Sequence, residues 1–255
     1  MWTAKKPHAR TDAVFSLDGN SSTFWQTQWC TVSPGYPHEI QIDLGQRYFL
    51  NGFSYLPRQD DCANGWISQY AFFVSPNGVI YTPPSSTFDP VPWGTALSSG
   101  TFNYGLTSYP CGSVPPVPAQ VKSFTTTVGR FVRLQGLSEV NGNPTASAAE
   151  INLFQTCPGY PAVLIGTPES YYLQPSASLT VKAQVCLDPS TQQGWGVRFM
   201  LDGGSAAGGF QIDDFTAPFQ ATFTGVSAAE HTVDAYIINQ SGTIMSGTDA
   251  HNGVI

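Results

Sequence analysis

The residues best suited to chemistry lie close together in one stretch of the chain, residues 55–67. A guanidinium, two carboxylates, a primary amide and an indole occur there, contributed by Arg58, Asp60, Asp61, Asn64 and Trp66. A guanidinium donates hydrogen bonds, carboxylates accept them, and an amide does both, so these groups can bind a polyhydroxylated ligand while the flat indole contacts its apolar face. Because the stretch lies between two alternating apolar segments, we expect a loop at one end of a β-sandwich.

The segments around this loop have the period-two alternation of strands, and turn residues separate them. In the first part of the chain these segments are residues 38–44, 50–56, 70–74, 123–128, 129–134 and 150–154. Residues 82–121 are rich in Pro, Ser and Gly and predict an elaborated loop with short strands. Several short strands with frequent turns favour an all-β sandwich or jelly roll.

A change in composition near Cys157 and Pro158 predicts a domain boundary. Beyond it, alternating segments recur at residues 179–185, 196–202, 219–223 and 230–237. Four strands in about 95 residues suit an immunoglobulin-like β-sandwich. We therefore expect one domain over residues 1–157 and an immunoglobulin-like domain over residues 162–255.

The composition favours an extracellular protein and excludes some partners. Only 11% of the residues are charged, aromatic residues reach 13%, and there are 25 glycines and 20 prolines. The net charge of −7 and the lack of a basic cluster exclude a nucleic-acid partner, which needs concentrated positive charge. No apolar run approaches the about 20 residues of a membrane span. We expect a secreted monomer, cut from a longer protein because the chain starts and stops abruptly.

Five cysteines without a CxxC spacing make a zinc site improbable and predict one or two disulfides with a spare thiol. Cys30 and Cys62 both fall in predicted loops near residues 55–67, so we pair them. Cys157 with Cys186 is the second choice, and the sequence leaves the connectivity open.

The sequence lacks a catalytic constellation. Its four histidines are scattered, it has no GxSxG elbow, and no phosphate-binding glycine motif occurs. The adjacent pairs Asp60–Asp61 and Asp213–Asp214 would point to opposite faces of a strand, which is the wrong geometry for glycosidase acids. We expect no enzyme activity from this chain, although the parent protein could be an enzyme.

Several pieces of the first domain, in order, resemble one family: the F5/8 type C (discoidin) domains, and among them the galactose-binding-like carbohydrate-binding modules of family 32. The matching pieces are Asp18-Gly19-Asn20, Thr23-Phe24-Trp25, Pro37-His38, Asn51-Gly52-Phe53, residues 56–60 and 64–67, residues 130–134, Glu139-Val140-Asn141-Gly142 and residues 148–152. The resemblance covers residues 2–156 and implies a jelly-roll β-sandwich that binds carbohydrate on its end loops.

The resemblance also implies a structural calcium ion. Its side-chain ligands would be Asp18, Asn20, Thr23 and Glu150, with the carbonyls of Phe15 and Ala149, an oxygen set that suits a hard cation. The alternative is that residues 18–20 form only a turn and that Glu150 is a surface charge.

Carried over from the family, the sugar site falls on Gln26, Trp29, Arg58 and Asn64. Trp29 or Trp66 would stack on the sugar ring, and Arg58 and Asn64 would hydrogen-bond its hydroxyls. Packing is the alternative for Trp66, and an ion pair with Asp60 or Asp61 is the alternative for Arg58. Because galactose-binding members carry histidine where Gln26 stands, the expected ligand is a glycan, with galactose-type sugars left open.

Two other functions remain in competition with sugar binding. One is protein or membrane adhesion of the discoidin type, for which Trp66 would be an exposed apolar spike; the acidic net charge disfavours an anionic membrane. The other is a purely structural scaffold for a missing catalytic domain. In the second domain, residues 218–225 and 230–235 resemble bacterial immunoglobulin-like spacers. Asp202, Asp213 and Asp214 form an acidic group with two interpretations, a calcium site or, more simply, solvated loop charges.

Overall fold

The computed structural model describes residues 12–28, 34–76, 93–168, 177–190, 192–205 and 208–254. The first part has a 3₁₀ turn at Ala13–Ser16 and the strands β1 (Trp25–Gln26), β2 (His38–Leu56), β3 (Gln69–Ser75), β4 (Ser98–Thr101), β5 (Gln120–Gly136), β6 (Ser147–Ala148) and β7 (Glu150–Gln155). The second part has β8 (Ala162–Thr167), β9 (Ser178–Cys186), β10 (Gly196–Leu201), β11 (Phe210–Asp214), β12 (Gln220–Thr224), β13 (Glu230–Ile238) and β14 (Ile244–Val254). The all-β prediction is confirmed.

The first part is built on a five-stranded antiparallel sheet in the order β4-β3-β5-β2-β7. Alternation along β2 buries Ile40 and Ile42 and turns Glu39 outward. Stacked rings fill the core, and the ring centroids of Phe53 and Phe72 are 4.0 Å apart. The short strands β1 and β6 pair antiparallel beside this sheet, so Gln26 lies opposite Ser147.

The second part encloses its own core between two sheets, β12-β9-β8 and β11-β10-β13-β14. Val181 and Phe223 from the first sheet meet Phe199 and Ile237 from the second. This two-sheet arrangement accounts for the alternation seen in the sequence. The immunoglobulin-like assignment and the boundary between residues 157 and 162 stay predictions.

Two disulfides join segments that are distant in sequence. The predicted Cys157–Cys186 bond is confirmed and ties the end of the first part to β9. The predicted Cys30–Cys62 pair is wrong, because Cys62 bonds to Cys111 instead. The loop before β5 packs against residues 59–63, which brings Cys111 to Cys62, whereas Cys30 lies outside the described residues.

Of residues 82–121, predicted as an elaborated loop with short strands, residues 93–121 are described; they contain the short strand β4 and the first two residues of β5. Within the described ranges, no helix is long and apolar enough to cross a membrane.

Candidate functional site

Arg58 lies two residues beyond the end of β2, on the loop that the sequence singled out. Its Nε donates to Oδ1 of Asp60 at 2.6 Å, and its Nη2 pairs with Oδ2 of the same carboxylate. The centre of the guanidinium lies 4.1 Å from the ring centroid of Phe24. Arg58 is therefore held by a bidentate ion pair along one edge and by a cation–π contact on one face.

Gln26 holds Arg58 from the other side. Its Oε1 accepts a hydrogen bond from Nη1 of Arg58 at 3.3 Å. Gln26 is 7% exposed, and its Nε2 is buried without a hydrogen-bond partner in the described structure. In this conformation the Oε1 atom of Gln26 orients the guanidinium. The Nε2 atom is a buried donor that is left without an acceptor.

Asn64 joins the same region through the segment Thr145–Ser147. Its Oδ1 accepts a hydrogen bond from Oγ1 of Thr145 at 3.2 Å, and its carbonyl accepts one from Oγ of Ser147 at 3.4 Å. Since Ser147 also pairs with Gln26 across β1 and β6, Gln26, Arg58 and Asn64 converge on one segment. The structure thus brings together three of the five residues predicted to bind sugar.

Gly65 explains how the loop passes so close to that segment. Its φ is +86°, and a Cβ added there would lie 2.8 Å from Oγ of Ser147, so a side chain does not fit. Its N–H donates to the buried carboxylate of Glu139 at 3.1 Å. Glu139 also accepts hydrogen bonds from the N–H groups of Asn141 and Asn143, which fixes the loop that leads to Thr145.

Tyr36 and His38 hydrogen-bond the backbone at and just before the Thr145–Ser147 segment. The Tyr36 hydroxyl donates to the carbonyl of Thr145 at 2.5 Å, and the ring of His38 hydrogen-bonds the carbonyl of Pro144. Burial lowers the pKa of His38, so the ring is neutral at physiological pH. The segment that Asn64 contacts is therefore anchored at several points.

The prediction that Trp66 stacks on a ligand is wrong. Its side chain is 0% exposed and packs against Tyr104 and Tyr109, with ring centroids 4.9 and 6.1 Å away. Its Nε1 donates to the carbonyl of Arg58 at 3.0 Å. Trp66 is therefore a core residue that holds the backbone of Arg58. Trp29, the other predicted stacking residue, lies outside the described residues.

The residues predicted as calcium ligands are also close to one another. Thr23 Oγ1 donates to Oδ2 of Asp18 at 2.8 Å, and the N–H of Asn20 donates to Oδ1 at 2.9 Å. The hydrogen bond from Thr23 is the main cause that lowers the pKa of Asp18. Asn20 Oδ1 accepts from the N–H of Ser22, and the 3₁₀ turn that contains Phe15 comes just before Asp18.

Glu150 completes this group from the first residue of β7, directly after Ala149. It is 7% exposed, and its Oε1 is buried without a hydrogen-bond partner in the described structure. Burial raises the pKa of Glu150, and the neighbouring carboxyl of Asp18 raises it further. Two carboxyl groups that face each other, one with an orphaned oxygen, are an arrangement that a bound cation would stabilise.

Several residues of the site escaped the sequence reasoning. Phe24, Glu139, Thr145 and Ser147 each position a predicted residue, but their types carry no chemical signature in the sequence. Asp60 was named among the polar groups of residues 55–67 and as an ion-pair partner of Arg58, but not among the residues of the sugar site. The sequence feature that could have identified Phe24 is its position in the family motif Thr23-Phe24-Trp25, between a predicted calcium ligand and a core residue.

In the second part, the side chains of Ser227, His231 and Asp202 contact one another. Nδ1 of His231 lies 2.6 Å from Oδ2 of Asp202, and its Nε2 lies 3.2 Å from Oγ and 3.0 Å from the carbonyl oxygen of Ser227. Nε2 can accept a proton from the Ser227 hydroxyl or donate one to the Ser227 carbonyl, depending on the protonation of the ring. Together with the hydrogen bond from the N–H of Thr232 to Oδ1 of Asp202, these contacts connect the start of β13 to the residue that follows β10. Asp213 pairs with Arg198, and Asp214 accepts backbone N–H groups, so the acidic residues do not form a cluster.

Comparison with known proteins gives a family match for the first part. A family model described as "F5/8 type C domain" matches residues 2–151. The chain is 35% identical over 142 residues to a galactose oxidase of Gibberella zeae and 33% identical over 138 residues to a sialidase of Micromonospora viridifaciens. These alignments cover 55% and 54% of this chain but only 17% and 18% of the two relatives.

Two solved structures from Clostridium perfringens are among those similar to this chain. A Clostridium perfringens module in complex with GalNAc-β-1,3-galactose is 29% identical, with a TM-score of 0.44 over 60% of this chain and 91% of that chain. A family 32 carbohydrate-binding module of the same organism, in complex with galactose, is 21% identical, with a TM-score of 0.43 over 57% of this chain and 86% of that chain.

Proposed function

The chain belongs to the F5/8 type C domain family through residues 2–151, and from this premise we propose that its first part is a non-catalytic carbohydrate-binding module. The observation that carries the proposal is the convergence of Arg58, Gln26 and Asn64 on the Thr145–Ser147 segment at one end of the molecule. A guanidinium fork and a primary amide, held rigidly by neighbours, suit the recognition of neighbouring hydroxyl groups.

The proposed site binds through polar groups with an aromatic partner. Arg58 has N–H groups beyond those engaged by Asp60 and Gln26. Asn64 is half-buried, and its amide oxygen accepts a hydrogen bond from Thr145. Trp29 takes the stacking role in this proposal, since Trp66 is buried. Galactose-type glycans are the first ligands to test, at micromolar to millimolar affinity, about 4 to 8 kcal/mol.

We also propose that a calcium ion binds the Asp18–Glu150 group and acts structurally. The orphaned Oε1 of Glu150 and the facing carboxyl of Asp18 support this fit, since oxygen donors suit calcium. Thr23 and Asn20 and the carbonyls of Phe15 and Ala149 would complete the ligand set. The ion would tie the 3₁₀ turn to β7 and supply no catalytic chemistry.

The second part is proposed as an immunoglobulin-like spacer in a longer, secreted protein, with the parent a carbohydrate-active or other hydrolase. The two-sheet core of residues 162–254 and the Cys157–Cys186 bond support this proposal. Adhesion to a membrane or protein has less support, because the apolar spike it would require, Trp66, is buried.

The proposal is tested by glycan-array screening followed by calorimetric titration of the wild-type protein and Arg58→Ala. We expect binding that falls at least tenfold in Arg58→Ala. Arg130→Ala is the matched control, since Arg130 also forms a bidentate ion pair, with Asp43, and lies 5.0 Å from the ring centroid of Phe131. No glycan binding, or equal losses in the two variants, would refute the proposed function.

A further inference from the structure

Asp60 occupies a position that the sugar-binding proposal leaves unexplained. Its two carboxylate oxygens face Nε and Nη2 of Arg58, and Nη1 of Arg58 faces Gln26. Three of the five N–H groups of the guanidinium therefore already have partners. The side chain of Arg58 is 12% exposed, whereas that of Asp60 is 36% exposed. A ligand that reaches Arg58 from solvent meets the Asp60 carboxylate at the same time.

The Arg58–Asp60 pair presents donors and acceptors together. Each carboxylate oxygen of Asp60 has lone pairs beyond the one that faces Arg58, and the guanidinium has two further N–H groups. A hydroxyl group can donate to the first and accept from the second, so a pair of neighbouring hydroxyls suits both partners. A ligand carboxylate can only accept, and it would meet Asp60 as a like charge.

The charge balance of the loop points the same way. Arg58 contributes one positive charge, and Asp60 and the exposed Asp61 contribute two negative charges, which leaves the loop with one net negative charge. The whole chain, including this loop, has a net charge of −7. Without Asp60, the edge of the guanidinium formed by Nε and Nη2 would be open, and such an edge binds carboxylates in a bidentate manner.

We propose that Asp60 is a specificity-determining residue: paired with Arg58, it accepts hydroxyl groups of a neutral sugar and excludes sugars that carry a carboxylate. This inference rests on the proposed function and adds to it the ligand class and the residue that selects it. Asp60 contacts the ligand, and Arg58 both binds the ligand and holds Asp60 in place.

The test compares two probes that differ only at C6, methyl β-D-galactopyranoside and the corresponding methyl galacturonide, by NMR or calorimetric titration at pH 7. We expect the wild-type protein to bind the neutral glycoside at least tenfold more tightly than the uronide. In Asp60→Asn, which keeps the side-chain shape but removes the charge, we expect this ratio to fall below about threefold, since like-charge contact is lost.

Asp61→Asn is the matched control. It removes the same charge one residue away, no hydrogen bond or ion pair of the Asp61 side chain is found among the described residues, and asparagine tolerates the φ of +62° found there. Asp61→Asn should keep the wild-type ratio. Asp60→Glu, which restores the charge, should also keep most of it and serves if Asp60→Asn folds poorly.

The inference is overturned if wild-type protein binds the uronide as tightly as the neutral glycoside. Equal changes of the ratio in Asp60→Asn and Asp61→Asn also overturn it, because they would indicate a general charge effect. If neither glycoside binds, the inference fails in this form, and the glycan array decides separately whether the proposed function survives. Array binding that depends on Arg58 but favours uronides refutes the role of Asp60 alone.

Discussion

Arg58 has one face on the ring of Phe24 and its N–H edges shared between Asp60 and Gln26. An arginine with so many partners loses little conformational entropy when a ligand binds, which favours the affinity of the proposed site. The same contacts make Arg58 part of the fold, so the loss expected in Arg58→Ala includes some rearrangement of Asp60. Comparison with Arg130→Ala separates these effects, because both variants lose a bidentate ion pair.

Trp66 contributes to the stability of the fold through its buried side chain. Because its indole is fully buried among Tyr104 and Tyr109, Trp66→Ala should lower the free energy of unfolding by about 3 to 5 kcal/mol. Trp66→Phe keeps most of the packing and loses the bond to the Arg58 carbonyl, a cost of about 1 kcal/mol. Urea unfolding measures both.

The affinity of Trp66→Phe for sugar distinguishes a core residue from a ligand contact. We expect the folded variant to bind within about threefold of the wild type. A Trp66→Ala protein that is as stable as the wild type but no longer binds would show that the indole contacts the ligand.

The residue types of the site were predictable from the sequence, but their exposure was not. Arg58, Asn64 and Gln26 were identified because their positions fit a family pattern. The burial of Trp66 depends on Tyr104 and Tyr109, which come from a distant loop and carry no periodic signal. Gln26 was predicted to contact a ligand. Instead its side chain is buried and hydrogen-bonds Arg58, because its pairing with Ser147 holds β1 against β6.

At the scale of elements, the Cys62–Cys111 bond connects the loop before β5 to the loop that carries Arg58 and Asn64. Around it, the N–H groups of Gly112 and Val114 donate to the carbonyl of Asp61, and the N–H of Val117 donates to Oε1 of Gln59. The bond was not predictable, because the loop that carries Cys111 has no strand pattern to fix its path.

The disulfides yield a prediction that separates stability from binding. Replacing both Cys62 and Cys111 with Ser should destabilise the fold by about 4 kcal/mol, from the chain entropy of the opened loop. The affinity for sugar should also fall severalfold, since residues 59–63 lose their anchor. Replacing Cys157 and Cys186 should cost a similar stability, about 4 kcal/mol, because that loop is also long.

Only the first of these double variants should lose affinity, because Cys157 lies beyond the far end of β7, away from Glu150 and the site. Calorimetric titration at a temperature where both variants remain folded makes the comparison. Equal affinities in the two variants would contradict the role of Cys62–Cys111 in holding the loop.

Calcium provides a pH-dependent prediction for the contact between the 3₁₀ turn and β7. The pKa of Glu150 is raised above its ordinary value of 4.5, so without the ion the folded state holds this proton more tightly than the unfolded state. Stability without calcium therefore falls as pH rises through the raised pKa. Calcium binds the deprotonated carboxyls, so its stabilisation should appear as pH rises above that range.

Thermal unfolding with calcium or with EDTA measures the effect. At pH 7 we expect calcium at a hundredfold excess over its dissociation constant to add about 3 kcal/mol, with almost no effect near pH 4. Glu150→Gln should abolish the response, and Glu39→Gln, which changes an exposed carboxylate on β2, should retain it. A response that survives Glu150→Gln, or that is equal at both pH values, would argue against this site.

At the scale of the whole molecule, the two parts make contact near the middle of β2. Arg47 donates to the carbonyl of Ile165 at 3.3 Å and accepts a hydrogen bond on its own carbonyl from Gln184 at 2.9 Å. Leu56 lies nine residues further along β2, or roughly 30 Å of extended strand. The contact with the second part and the end of β2 that leads to Arg58 therefore lie at different places along the same strand.

The overall organisation was more predictable than the site. Alternation predicted strands in both parts because burial on one face of a sheet dictates it. The sequence could not predict how the parts meet, because Arg47 and Gln184 are ordinary polar residues until the fold brings them together. The domain boundary stays a prediction.

NMR titration of ¹⁵N-labelled protein with galactose and related sugars shows whether a sugar binds at Arg58 and Asn64. We predict that the shift changes will concentrate in the Arg58 side chain, the Asn64 amide and the backbone of residues 58–66 and 145–147. Shifts confined to another surface, or no shifts with any sugar, would contradict sugar binding at Arg58 and Asn64.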